Sequence, residues 1–94
     1  MPKAYASVGT TETTILKIPD GKQAVITAII VSNGGSSADA LTLKEDGNTI
    51  AVIRVAAGDT EYLNNMKLDL TPGATLTGVA GTGALDVTVI YELK

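Results

Sequence analysis

The feature that most constrains this fold is an apolar run at residues 24–31, AVITAIIV, whose single polar side chain is Thr27. A strand in a small antiparallel sheet usually has one solvated face, so its side chains should alternate between apolar and polar. Under strict alternation one face of this strand lines the core, and the second face still carries Val25, Ile29 and Val31. The run therefore predicts a second apolar face that something must cover.

The size and composition of the chain make association a reasonable way to cover that face. A chain of 94 residues forms one small domain, which buries roughly 60–65% of the surface of its unfolded chain. There is no Cys and no His, so neither disulfides nor a zinc site of the usual kind can stabilise it. Burying each large aliphatic side chain contributes about 1.5–3 kcal/mol. We therefore predict a homo-oligomer or a subunit docked on another protein, with Val25, Ile29 and Val31 at its interface. The alternative is a monomer in which the N-terminal segment or a loop covers this face.

Residue preferences and turn signals predict an all-β fold. Val, Ile and Thr make up 29 of the 94 residues, and these branched side chains favour strands. Turn signals recur at Pro19–Gly21, Asp46–Gly47 and Pro72–Gly73. The pattern predicts a single antiparallel β-sandwich of about seven strands at residues 12–94, of jelly-roll or Ig-like type. Its strongest element is a hairpin that turns at Asp46–Gly47.

Two irregularities accompany these strands. Residues 1–11 are predicted to form an extended N-terminal arm that reaches a neighbouring subunit or a larger assembly. The strand predicted at Glu61–Leu70 is interrupted by Asn64–Asn65, which indicates a bulge or a kink. The arm residues expected to make contacts are Pro2, Lys3, Tyr5 and Val8.

The sequence offers no recognisable catalytic, cofactor or metal site. The commonest general base and the thiol nucleophile are missing, and no serine lies in a G-x-S-x-G motif. The acidic residues form no D-x-D-x-D cluster, and several of them are explained by turns, because Asp bonds its own backbone there. We therefore expect a protein that is not an enzyme and needs no cofactor.

Charge and hydropathy exclude two further classes of partner. A net charge of −3 without a basic block argues against nucleic-acid binding, which depends on neutralising phosphates. No apolar run approaches the ~18–20 residues that span a membrane, and Met1–Tyr5 has no signal-peptide core. We expect a soluble protein with neither nucleic acid nor membrane as a partner.

Several segments resemble one family of proteins. These are Thr14–Lys22, then Ala24–Thr27 closing at Val31–Asn33, then Ala57–Thr60 and Leu70–Leu76. The pattern is similar to that of small β-sandwich virion proteins of tailed bacteriophages. In these proteins an early strand ends in P-x-G-K, a long strand ends near S-N, and A-G-D and P-G-x-x-L elements follow. The resemblance covers most of residues 13–93.

This resemblance implies a structural role. Such proteins decorate capsids as cement subunits, often as trimers, or act as adaptors in tails and fibres. It implies a protein made in the host cytoplasm and located on the outer capsid surface of the virion. Its partners would be its own copies, with a trimer favoured, and the major capsid protein or another virion protein. Two alternatives stay open: a tail or fibre adaptor, and a small carbohydrate-binding module in which Tyr62 would stack on a sugar ring.

Overall fold

The computed structural model describes residues 2–94, so Met1, the first residue of the predicted arm, lies outside the described residues. The described chain is all-β, as predicted, with nine strands rather than seven. None of its segments is a helix long and apolar enough to cross a membrane. The strands are β1 (Lys3–Val8), β2 (Thr13–Lys17), β3 (Ala24–Ser32), β4 (Asp39–Glu45), β5 (Asn48–Val55), β6 (Thr60–Leu63), β7 (Leu68–Leu70), β8 (Thr75–Ala80) and β9 (Leu85–Leu93).

The strands form two antiparallel sheets that pack as a sandwich. The first sheet has the order β1-β9-β3-β6, and β7 lies beside the same edge of β3 as β6. The second sheet has the order β2-β8-β4-β5. The strand pairs are nested along the chain, as in one long hairpin that is rolled into two layers. The outermost pair is β1–β9, followed inward by β2–β8, then β3 with β6 and β7, and finally β4–β5. This is a jelly roll, so the Ig-like alternative does not apply.

The predicted hairpin is confirmed. β4 and β5 pair along their length and are joined at Asp46 and Gly47, whose φ angles are 49° and 85°. Two consecutive positive φ values are those of a type I′ turn, which matches the twist of the two strands. Asp46 also joins the hairpin to β8, because its backbone N–H and its carboxylate each bond Thr75 at 3.0 Å.

The first additional strand corrects the prediction of an arm. β1 pairs with β9 from Lys3 to Val8 without a register shift, and the Pro2 carbonyl accepts a hydrogen bond from Tyr91 N–H at 3.1 Å. Two alanines and Val8 face the core, while the side chains between them point outward. This alternation was visible in the sequence, but alanines gave it little hydrophobic signal.

The second additional strand comes from the Asn64–Asn65 break. The single strand expected at Glu61–Leu70 is divided into β6 and β7, which pair with opposite halves of β3. Asn65 has a φ of 56°, a left-handed conformation that Asn tolerates better than most residues.

A β-bulge in β3 explains why this strand appears apolar on both faces. Ile26 lies opposite Tyr91, and Ala28 lies opposite Ile90, so Thr27 is an extra residue in the ladder. An extra residue shifts the alternation by one position. Ile29 therefore faces the core together with Ile26, which strict alternation would have placed on opposite faces.

The bulge overturns the premise of the predicted interface. Val25, Ile29 and Val31 are only 4%, 1% and 0% exposed within a single chain. Ile29 and Val31 belong to the sandwich core. Val25 lies on the opposite face, in register with Asp69 on β7 and Glu92 on β9. The three side chains thus form no common exposed stripe.

Candidate docking surface

The outer face of the first sheet carries an exposed row of side chains across four strands. Tyr5 on β1 is in register with Thr88 on β9, Thr88 with Ile30 on β3, and Ile30 with Tyr62 on β6. The two tyrosines are 71% and 62% exposed, and the two central residues are half-buried. Since neighbouring strands lie about 4.8 Å apart, the row spans roughly 14 Å.

The rows on either side differ in chemistry. One adjacent row places Ile90, half-buried, between Lys3 and Ala28. The other row is hydrophilic and includes Ser32 and Thr60, whose hydroxyls lie 3.0 Å apart. We call the apolar and aromatic part the tyrosine face; it consists of Tyr5, Ile30, Tyr62, Thr88 and Ile90.

The tyrosine face has the composition of a docking surface. Tyr offers a large apolar ring and a polar hydroxyl with few rotatable bonds, so it is enriched where proteins contact partners. The two tyrosines flank half-buried Ile30 and Thr88, and no charged residue lies in their row. The face therefore suits a neutral surface that supplies apolar contacts and hydrogen-bonding groups.

Because β1 pairs with β9, only some of the contact residues predicted on the arm are exposed. Pro2, Lys3 and Tyr5 are exposed, whereas Val8 is fully buried and cannot contact a partner. Tyr62, the residue that would stack on a sugar ring in a carbohydrate-binding module, lies on the tyrosine face. Sequence reasoning did not bring Tyr5 and Tyr62 together, because their alignment depends on strand order rather than on spacing in the chain.

Asp39 is the buried carboxylate among residues 2–94, and it is fully used in holding a loop. Its Oδ1 accepts hydrogen bonds from the N–H groups of Ala40, Gly81 and Thr82 at 2.8–2.9 Å, and Oδ2 accepts one from Gly83 at 2.9 Å. Burial alone raises the pKa of Asp39, but these four donors outweigh it and hold the pKa below its ordinary value. Asp39 therefore stabilises the β8–β9 loop and is not available as a base.

Other acidic residues also serve the backbone. Glu45 accepts a hydrogen bond from Thr71 N–H at 2.7 Å, and Asp59 accepts one from Thr60 N–H at 2.9 Å. Within residues 2–94, no group of three or more His, Cys, Asp or Glu residues is placed to hold a metal ion. In the same part of the chain, every buried side-chain nitrogen or oxygen has a hydrogen-bond partner.

An open groove of about 620 Å³ lies near the Asp39 end of the sandwich. Its lining includes Asp39, Val55 and Thr82, with Arg54 and Glu61 contributing charge. The Asp39 carboxylate is already bonded to four backbone N–H groups, three of them in the β8–β9 loop, so holding this loop is its main role. The tyrosine face is accordingly the stronger candidate for recognition.

Comparisons with protein-family models, with curated proteins and with solved structures give no match to this chain. Fold and surface together define a jelly-roll domain with an exposed tyrosine face.

Proposed function

We propose that this chain is a structural virion protein of a tailed bacteriophage, acting as a capsid decoration or cement protein. The tyrosine face is the surface through which it docks on the major capsid protein or another virion protein. The observation that carries this proposal is the row from Tyr5 to Tyr62, which crosses a whole sheet with both rings exposed.

A cement protein acts by binding, and the features of this chain suit that role. A ligand that binds only the assembled shell stabilises the shell through mass action and needs no chemistry of its own. The buried side-chain nitrogen and oxygen atoms of residues 2–94 all have hydrogen-bond partners, while two of the three tyrosines, Tyr5 and Tyr62, are exposed on one sheet. The jelly roll is also a common fold among viral capsid proteins, which supports the proposal by analogy.

Charge supports a position outside the shell. The net charge of −3 disfavours contact with packaged DNA. Around the tyrosine face, Lys3 is accompanied by Asp69, Asp86 and Glu92 on the same side of the sheet. Such a surface favours a neutral or mildly basic protein partner.

The test is to locate the chain in particles. Virions from cells that carry its gene would be purified on a density gradient, analysed by mass spectrometry and labelled with gold-conjugated antibody. Decoration predicts the chain in the virion fraction, with gold over the heads. Gold confined to tails or fibres would support the adaptor alternative instead. Absence of the chain from purified virions would overturn both structural roles.

A carbohydrate-binding module is the second candidate, and the exposure of Tyr62 favours it. Sugar-binding surfaces stack aromatic rings on the apolar faces of sugars, and jelly rolls are also common among lectins. The test is a glycan array probed with the wild-type chain, Tyr62→Ala and the control Val52→Ala, which changes an exposed side chain on the other sheet. Binding that Tyr62→Ala abolishes and the control retains would support this function. An array without binding would count against it.

A further inference from the structure

β1 is an edge strand whose outward backbone groups have no partner within residues 2–94. It pairs with β9 on one side and with no strand on the other. In an antiparallel ladder, successive residues direct their N–H and C=O groups alternately to the two sides. Half of the β1 backbone therefore faces away from the sheet.

Hydrogen bonds on the two sides of β9 establish independently which half faces away. Tyr91 donates to the Pro2 carbonyl, so odd-numbered β9 residues bond β1, and Ala4 and Ala6 direct their backbone groups inward. Gln23 and Lys94 exchange both backbone hydrogen bonds, so even-numbered β9 residues bond β3. The two findings agree. The outward residues of β1 are Lys3, Tyr5 and Ser7.

The other sheet edges are interrupted, whereas β1 is not. β2 has a register shift at Ile15, and β5 has one at Ile50. The edge formed by β6 and β7 is broken at residues 64–67. Bulges and breaks of this kind protect an edge against pairing with another chain. The regular six-residue β1 lacks such protection.

We propose that two copies of this chain pair through β1, antiparallel, around a twofold axis at Tyr5. Tyr5 then faces the partner's Tyr5 as a hydrogen-bonded pair, and Lys3 faces the partner's Ser7 on both sides of the axis. This arrangement uses all three outward residues of each copy and satisfies their N–H and C=O groups. A twofold contact needs the same patch on both copies, which an antiparallel strand edge supplies.

A pair of opposite charges, Asp86 and the partner's Lys3, supports this register. Asp86 on β9 is in register with Ser7, so it lies in the same cross-strand row as the partner's Lys3. Two strand spacings, about 10 Å, separate their backbones. The intervening Ser7 is small, so the lysine can extend over it toward the carboxylate. The dimer contains this pair twice, and no like charges face each other across the new edge.

The dimer would replace the trimer expected from the sequence, because antiparallel self-pairing closes after two copies. The twofold axis is perpendicular to the first sheet, so both tyrosine faces point in the same direction. A dimer with two docking surfaces gains avidity, because binding of the first surface raises the effective concentration of the second surface at its site. The dimer itself does not depend on the virion role, and its test needs only purified protein.

The first measurement is the solution mass of the wild-type chain by sedimentation equilibrium across a hundredfold range of concentration. A dimer of twice the 9.6 kDa chain mass is expected at the upper end. Tyr5→Pro removes an outward N–H and leaves the β9 ladder intact, because proline is tolerated where the N–H faces solvent. It should raise the dimer dissociation constant at least tenfold. Tyr5→Thr keeps the N–H and should have a smaller effect.

A charge exchange tests the register without proline. Lys3→Glu should weaken the dimer several-fold by placing two acidic groups in one row, and Lys3→Glu with Asp86→Lys should restore it. Circular dichroism confirms that each variant is folded. The proposal is overturned by a wild-type chain that stays monomeric or forms trimers. It is also overturned by a charge exchange that fails to restore a dimer lost in Lys3→Glu.

Discussion

Ile26 and Ile29 point to the same side of β3, although three positions separate them in the chain. In a regular strand an odd separation places two side chains on opposite faces. The extra residue at Thr27 changes this, so the same sequence can send apolar side chains inward at both ends of the strand. The bulge lets a small domain bury an apolar run that under strict alternation would need two covered faces.

The bulge predicts which isoleucine of the Ile29–Ile30 pair the core depends on. Ile29 is fully buried between the sheets, while Ile30 is half-buried on the tyrosine face. Ile29→Ala should lower the free energy of unfolding by about 2–5 kcal/mol, through lost burial and a cavity. Ile30→Ala should cost about 1 kcal/mol or less, because its surroundings are partly solvent. Urea denaturation of both variants measures the difference. Equal losses, or a greater loss for Ile30→Ala, would contradict the bulged register.

The core also predicts a glycine that cannot be enlarged. A Cβ at Gly78 would lie 3.0 Å from Ile15 Cδ1 and 3.1 Å from Leu41 Cδ1. Gly78→Ala should therefore destabilise the fold by about 1–3 kcal/mol through overpacking. The matched control is Gly34→Ala, where a Cβ meets nothing within 4 Å. Thermal unfolding should show a lower midpoint for Gly78→Ala alone. A Gly78→Ala variant as stable as wild type would show that the two sheets are less tightly packed there.

Asp39 predicts a specific loss of stability in acid. Its pKa in the folded chain lies below the ordinary value of 3.8, so the unfolded chain binds the proton more tightly. The contribution of Asp39 is therefore fully present above about pH 4 to 5 and is lost as the pH falls through the lowered pKa. In measurements from pH 6 to pH 2, the free energy of unfolding should therefore decline as the pH falls below about 4 to 5.

Amide variants isolate this contribution. Asp39→Asn should cost about 1.5–3 kcal/mol at neutral pH, because a neutral amide oxygen accepts weaker hydrogen bonds and the NH2 group that replaces the other oxygen accepts none. It should also reduce the decline in acid. Asp59→Asn is the control, since Asp59 is exposed and accepts one hydrogen bond from Thr60. The role given to Asp39 would be wrong if both variants showed the same stability and the same pH dependence.

The parts of the fold that sequence predicted are those set by local chemistry. The Asp46–Gly47 turn requires two positive φ angles, and this dipeptide favours them, so the hairpin was predictable. The all-β class followed from the density of branched side chains. The interruption at Asn64–Asn65 was visible, although its division of one strand into β6 and β7 was not.

The parts that sequence reasoning missed depend on contacts between distant segments. Nothing near Thr27 marks it as a bulge, because the extra residue is defined only against β9. The small inward side chains of β1 give its sequence the character of an arm, and it becomes a strand by pairing with residues about 80 positions away. The tyrosine face is likewise a product of strand order. Tyr5 and Tyr62 align only because β9 and β3 lie between their strands.

Docking through the tyrosine face is tested most directly by comparing one variant on each sheet. Tyr62→Ser removes an exposed ring from the tyrosine face, and Val52→Ser removes an exposed side chain from the outer face of the second sheet. Labelled protein would be titrated onto virions assembled without the chain, and bound protein measured by co-sedimentation. Removing an interface anchor costs more than about 1.4 kcal/mol, or tenfold in affinity. We predict at least tenfold weaker binding for Tyr62→Ser and unchanged binding for Val52→Ser. Wild-type binding by Tyr62→Ser together with a loss for Val52→Ser would contradict it.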